Sequence, residues 1–265
     1  MHNLYLVKIG GSVITNTKRQ NVARKKDISR IVGEIGAAGK NKKIIVGHGA
    51  GSFGHISAHK YKVNLGIINR DSRKGATITE QAVLSLDNII LKCMIKKGIS
   101  AMPFSPSSGA MSKLGKIVKW DIKPLQEALK NGFLPVTHGD VVTDLGKGVS
   151  IASTEEVFRY IAKYMKPKKI IIGTDVDGIF TSNPKLDKNA KLIKFVDHKN
   201  INDVLNSAGK SLKVDVTGGM KSKITYLYNM AKETGATCQI VNAKKKDRIR
   251  LAILGKRVVG TIIRA

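Results

Sequence analysis

The run Lys42–His55, KKIIVGHGAGSFGH, joins a short apolar stretch to a cluster of glycines. IIVG reads as a buried strand, and Gly49, Gly51 and Gly54 fit G-x-G-x-x-G. In a dinucleotide-binding turn that spacing is followed, about 20 residues on, by a strand ending in Asp or Glu that holds a ribose. Here HISAHKYKVNLGIINRDSRKGAT follows Gly54, with no second strand to place Asp71. The stretch therefore reads as a different phosphate-holding turn. Its glycines free backbone N–H groups for an oxyanion, and His55 closes it.

Strand-like and helix-like segments alternate outward from this stretch. LYLVKIG (4–10) reads as a strand, and Asp27 as the cap of a helix running to about Gly39. Thr77 and Glu80 have capping-box spacing ahead of an amphipathic run to Lys97. SAMPF (100–104), GKIVKWDI (115–122) and FLPVTHGD (133–140) are strand-like, and KPLQEALKNG is a short helix ended by Gly132. VVTDLGKGVSIAS (141–153) reads as a hairpin before a helix over about 154–165. KKIIIGTD (168–175), ATCQIVN and VVGTIIRA read as strands, with helices at NINDVLNSA and at GGMKSKITYLYNMAKETG (218–235). This alternation predicts an α/β fold, an αβα sandwich with a mainly parallel central sheet and β-hairpins on one edge. The 265 residues suit a single domain of two packed lobes. In such sheets ligands gather beyond the carboxyl ends of the strands.

Composition narrows the function classes. No stretch has the length of a membrane span, and the N-terminus lacks the pattern of a secretory signal, so a cytoplasmic protein is expected. Cys93 and Cys238 fall within helix and strand patterns and read as buried free thiols. The net charge is +28, from 47 Lys and Arg against 19 Asp and Glu. That excess favours capture of anionic small molecules. Nucleic acid is the less favoured partner, because aromatics make up only 5% and none interleave with the basic clusters in sequence.

Every chemically informative motif falls just after a strand. KIGGS supplies Lys8 as a point charge beside the turn Ile9, Gly10, Gly11 and Ser12. HGAGSFGH supplies Gly49, Ala50, Gly51, Gly54 and His55, and HGD supplies Gly139. GTDVDGIF ends a strand with Asp175 and Asp177, suited to ribose, Mg²⁺ or a lysine. DVTGGMKSK opens a helix at Gly218 and Gly219, whose dipole favours anions, with Lys221 in its first turn.

Taken together, in this order, these motifs resemble the amino acid kinase superfamily and, within it, the isopentenyl phosphate kinase family. His55 closing GSFGH is the discriminating residue, and PSS (106–108) is similar to the same family's pattern. The resemblance implies ATP-dependent phosphorylation of isopentenyl phosphate to the diphosphate in isoprenoid biosynthesis, with Mg²⁺. It implies a homodimer, and dimethylallyl phosphate as a further acceptor. A fosfomycin-kinase-like activity is the alternative, and an RNA-binding protein on a kinase scaffold a more distant one. Residues of about 1–165 would form the acceptor lobe and about 166–265 the nucleotide lobe. Lys8, Lys18, His55 and Lys221 would be catalytic. The nucleotide would be held by Lys8, Ile9, Gly10, Gly11, Ser12, Gly51, Asp175, Asp177, Gly218, Gly219 and Lys221. The acceptor would be held by Gly49, Ala50, Gly54, His55, Gly139 and Glu155. No protein metal ligand is expected. Two departures stand out: Thr17 occupies the place of the family's loop lysine, with Lys18 one residue on, and STEE (153–156) replaces an SGDD-like stretch. Ala76 and Thr77, small residues after RKG, predict a roomy tail pocket open to longer prenyl chains.

Overall fold

The computed structural model describes residues 3–39, 41–184, 186–210 and 219–265. The chain opens with β1 (Leu4–Ile9), the one-turn helix α1 (Gly11–Ile14), α2 (Lys25–Ala38), β2 (Lys43–His48) and α3 (Gly51–Lys60). The long α4 (Arg70–Lys96) leads to β3 (Ala101–Pro103), β4 (Met111–Lys113), β5 (Lys116–Lys119) and α5 (Lys123–Lys130). Next come β6 (Leu134–His138), β7 (Asp140–Asp144), β8 (Gly148–Ala152) and α6 (Thr154–Met165). The second half holds β9 (Lys169–Thr174), β10 (Ile179–Phe180), β11 (Leu192–Ile193), β12 (Phe195–Val196) and α7 (Ile201–Lys210). It closes with α8 (Gly219–Thr234), β13 (Thr237–Asn242), α9 (Arg248–Leu254) and β14 (Gly260–Ile263).

β1 is buried on both faces, as a central strand of a covered parallel sheet must be. Leu4 and Leu6 pack with Ile45, Ile170, Ile172 and Phe158 under α6 and α8, while Tyr5, Val7 and Ile9 pack with residues of α2, α4 and α9. A one-residue register slip would exchange these sets and drive Lys8 into the apolar layer under α2, so the alternation fixes the register. The eight-stranded sheet has the order β12-β14-β13-β9-β1-β2-β6-β3. Only the β13–β14 pairing in it is antiparallel. Strands from the first half of the chain lie on one side of the β1–β9 junction, and those from the second half on the other. The hairpin strands form a separate four-stranded sheet, β5-β4-β7-β8, rather than an extension of the main one.

Several local expectations change. Asp27 lies within the first turn of α2, bonded to Arg30, and Arg24 precedes the helix without a side-chain cap. Thr77 and Glu80 are not a capping box. α4 begins earlier, where the Asn69 side chain accepts from the Ser72 backbone and the Ser72 hydroxyl accepts from the Asn69 backbone. The stronger Asn cap eight residues upstream extends the helix, so segment 63–75 is a short 3-10 turn (Val63–Leu65) followed by the start of α4. Cys93 is half-buried and Cys238 fully buried, and both are free thiols.

Candidate functional site

The carboxyl ends of β1, β2 and β9 meet at one point, where the strand order diverges from β1 to either side. The turns leaving them are pressed together. A Cβ on Gly11 would lie 2.4 Å from the Gly51 nitrogen, and Gly51, at φ +52°, faces the Thr15 hydroxyl with no room for a side chain. Gly10 N–H donates to the Gly173 carbonyl at 2.8 Å, which ties the β1 turn to β9. The glycines therefore set how closely two helix starts, α1 and α3, approach each other. The GSFGH stretch is not a loop: α3 begins at Gly51, and His55 stands one turn into it.

Two cavities open at this point. One, of about 340 Å³, is walled by Gly10, Gly11, Ser12, Gly51, Gly173 and Thr174. The other, of about 120 Å³, is walled by Ala50, Gly54, Ala58, Val83, Val141 and Ile151, with Gly139 and Glu155 at one end. Lys8, Gly49 and His55 line both cavities and form the junction between them.

Lys8 Nζ pairs with Glu155 Oε1 at 2.5 Å, both side chains nearly buried. Burial lowers the Lys8 pKa, and Lys223 lowers it further; together they outweigh the opposing pull of Glu155. Burial works to raise the Glu155 carboxyl, but Lys8 and Lys223 outweigh it and hold the group below the usual carboxylate range. His55 keeps part of its ring open to the cleft. Desolvation of the rest, with the Lys8 charge, lowers its pKa against the opposing effect of Glu155, so the ring is neutral at pH 7. The two glutamates of STEE divide their work. Ser153 caps α6, Glu155 faces Lys8, and the buried Glu156 accepts from the Ile117 N–H, Arg159 and the Tyr226 hydroxyl.

Behind the smaller cavity lies a buried polar cluster. His48 Nε2 meets Asp87 Oδ1 at 3.0 Å, and His138 Nε2 meets the Ser105 hydroxyl at 3.2 Å. Ser107 N–H donates to Asp140 and its hydroxyl donates to Glu80. Burial, with the hydrogen bond and charge of Asp140, pushes Glu80 up to about 8. Burial and the neighbouring His48 bring His138 down to about 4.

The structure distributes the remaining sequence-derived residues unevenly. Ile9 points into the apolar core, leaving only its backbone near the turn. Asp175 accepts from the Ser12 hydroxyl and faces Lys244 at 3.8 Å. Asp177 has a buried carboxylate oxygen without a hydrogen-bond partner among the described residues. Lys18 is exposed, and Thr17 rather than Lys18 lines the larger cavity. Gly218 lies outside the described residues, Gly219 begins α8, and Lys221 is exposed. The residue that the sequence reading missed is Lys223, which lines the larger cavity and acts electrostatically on Lys8 and Glu155. Helical spacing was the available signal: Lys223 shares a face with the buried Leu227, and Lys221 shares one with Thr225. The small Ala76 does not enlarge the smaller cavity. It packs with Ala58, Val63, Val141 and Tyr61, which fill the space beyond.

The profile of the amino acid kinase family matches residues 3–242. The chain is 36% identical over 267 residues to isopentenyl phosphate kinase from Methanothermobacter thermautotrophicus, covering 98% of each. It is 31% identical to that from Thermoplasma acidophilum, over 98% of this chain and 100% of the relative. A solved isopentenyl phosphate kinase superposes with a TM-score of 0.85 at 31% identity, over 98% of this chain and 99% of the other. The chain belongs to the amino acid kinase family and, within it, to the isopentenyl phosphate kinases.

Proposed function

We propose that this kinase moves the γ-phosphoryl group of ATP onto the phosphate of isopentenyl phosphate, with ATP in the larger cavity and the acceptor in the smaller. The observation that carries this reading is the shared wall: Lys8, Gly49 and His55 touch both cavities, where a group passing between them must lie. The apolar Ala58, Val83, Val141 and Ile151 suit a short hydrocarbon tail better than a carboxylate. At about 120 Å³ the cavity equals the liquid volume of about four waters, close to a five-carbon chain. Dimethylallyl phosphate, with the same carbon count, is proposed as a second acceptor.

Phosphoryl transfer runs through a loose transition state, with charge spread over the transferred oxygens. Positioning and cations are therefore the main tools. A phosphate monoester loses its second proton at a pKa of about 6, so the acceptor arrives as a nucleophile and needs no general base. In this reading Lys8 and Lys223 hold phosphate oxygens at the junction. The neutral His55 donates one N–H to the acceptor, and Gly51 offers its backbone N–H, whereas the Gly49 N–H is already donated to the Ile9 carbonyl at 3.0 Å. Glu155 keeps the buried Lys8 charged and aimed. Asp175 and Asp177 are assigned to the ribose or to the waters of a magnesium ion. The unpartnered oxygen of Asp177 fits that task. Among the described residues no group of three His, Cys, Asp or Glu could hold a metal, so Mg²⁺ would ride chiefly on the ATP phosphates. When bound it would supply neutralisation of the charge on the transferred phosphoryl group. The homodimer stands as a further expectation, read out by light scattering.

The test is ATP turnover with Mg²⁺ against isopentenyl phosphate, dimethylallyl phosphate, fosfomycin and acetylglutamate, with His55→Ala in parallel. Turnover of the two prenyl phosphates, falling about 10²–10³-fold in His55→Ala, is expected. Turnover confined to fosfomycin or acetylglutamate would overturn the substrate assignment.

A further inference from the structure

At the opposite end of the sheet from the kinase site lies a groove of about 710 Å³. β9 links the two places: Gly173 and Thr174 wall the ATP cavity, and Lys169, about 16 Å away along the strand, walls the groove. Its floor is the sheet face that α9 covers only in part. α9 ends at Leu254, and the chain turns back through Gly255, at φ +71°, into the connector that leads to β14. The cations come from separated parts of the chain: Lys169 from β9, Lys194 from the β11–β12 link, Lys256 and Arg257 from the connector, and Arg264 from beyond β14. No carboxylate stands among the residues that line the groove.

Two features separate this groove from an ordinary lysine-rich surface. Gln239 on β13 is 4% exposed, lines the groove, and has a buried Oε1 without a hydrogen-bond partner among the described residues. An amide oxygen buried unpaired costs about 1–3 kcal/mol, and it only accepts, so it marks a place where a hydroxyl or amine donor arrives. The second feature is electrostatic. Desolvation brings Lys169 down to about 8, with Arg264 and Lys168 adding like charge. An anion placed among these cations relieves that repulsion. Phe195 stands exposed at the rim as an apolar contact for an uncharged portion.

We infer that this groove is a binding site for a small molecule bearing a di- or triphosphate, whose phosphates are held by Lys169, Lys194, Lys256, Arg257 and Arg264 and whose uncharged portion donates a hydroxyl or amine hydrogen to Gln239. Five cations, with no carboxylate among the described residues that line the groove, exceed what one phosphate dianion neutralises, and match a chain of two or three phosphoryl groups. The groove's volume falls in the range of small-molecule sites, and its open shape admits a ligand longer than the phosphates alone. The inference stands apart from the kinase assignment, since it uses none of that site's residues.

The test is calorimetric titration of the full-length protein with inorganic tripolyphosphate at about 0.1 M salt. The background is Lys8→Met/Lys223→Met, which removes the lysines of the ATP cavity. One equivalent is expected to bind. Lys194→Glu/Arg257→Glu in that background is expected to weaken binding about tenfold or more. Gln239→Leu, which keeps the shape, is expected to leave tripolyphosphate affinity within about threefold, because that probe has no donor for the amide oxygen, and to weaken binding of a ribonucleoside triphosphate, whose hydroxyls can donate. Lys92→Glu/Lys96→Glu, an equal charge change on exposed α4 residues, should leave affinity within about threefold. Lys194→Glu/Arg257→Glu alone should retain the turnover of the unaltered protein. Absence of binding, or equal loss in both charge-reversed pairs, would overturn the site. Selective binding of a short single-stranded RNA through these residues, without tripolyphosphate binding, would also overturn it and identify a nucleic-acid surface instead.

Discussion

Replacing Lys223 by Met tests the electrostatic account of the kinase junction more directly than any other change. Lys8 and Glu155 form an ion pair and cancel, and His55 is neutral at pH 7. Lys223 thus leaves the junction with one net positive charge, which the substitution removes while keeping the length of the side chain. For a cation about 4 Å from transition-state charge, at an effective dielectric constant of about 20, the interaction is about 4 kcal/mol. That corresponds to about 10³ in rate, the upper part of the 10²–10³ range seen for single preorganised donors. Lys221→Met is the internal control. The two lysines lie two residues apart on α8, about 200° around the helix, so only one faces the cavity. Coupled ADP release with isopentenyl phosphate should show kcat reduced about 10²–10³-fold in Lys223→Met and within about fivefold of the parent in Lys221→Met. The thermal midpoint should stay level, because Lys223 repels Lys8 as it attracts Glu155. Near-normal kcat in Lys223→Met, or a larger loss in Lys221→Met, would refute the assignment.

Three further outcomes follow from the same geometry. Glu80 is held protonated up to about pH 8, whereas the unfolded carboxyl titrates near 4.5, so the native state binds the extra proton between those values. Stability therefore falls as pH rises through that window. Glu80→Gln, which mimics the protonated form, should gain on the parent in melting temperature from pH 5 to 8 and run parallel above; parallel curves throughout would exclude the shift. Gly51→Ala must hold a side chain at φ +52° against the Thr15 hydroxyl, and a loss of about 2 kcal/mol or more in denaturant midpoints is expected. For geranyl phosphate, five more carbons meet Val63, Ala76 and Tyr61. With its tail kept out of the cavity, geranyl phosphate forgoes the burial of about five carbons that isopentenyl phosphate gains, and at about 0.8 kcal/mol each its kcat/KM should trail by about 10²–10³. Tyr61→Ala should narrow that gap, and equal turnover of both acceptors by the parent would show that the cavity opens.

The sheet and the glycine-lined turns at the carboxyl ends of its strands were legible in the sequence because they rest on local patterns. An apolar run that ends in paired glycines reads the same way at β1 as at β2, and the helix over 154–165 agrees with α6 at both ends. What escaped the sequence depends on contacts between distant segments. The start of α4 is the exception: Asn69 and Ser72, three residues apart, form a capping box that outcompetes Thr77, a local signal that the sequence carried. Tyr61 and Val63 fill the room that Ala76 leaves, although the RKGAT stretch alone predicts open space. Glu155 takes the Lys8 charge and Glu156 turns toward Arg159, a division that the adjacent letters EE conceal. The Lys221–Lys223 choice has a different origin. Both lysines satisfy a motif that asks only for a cation near a helix start, and the helical phase set by the buried Leu227 and Met230 decides between them. The basic groove belongs to the first kind. Its cations lie in sequence from 169 to 264, and Phe195 joins them only because β12 pairs with β14 beside β13. The absence of aromatics from the sequence-local lysine clusters therefore says nothing about where the fold gathers charge.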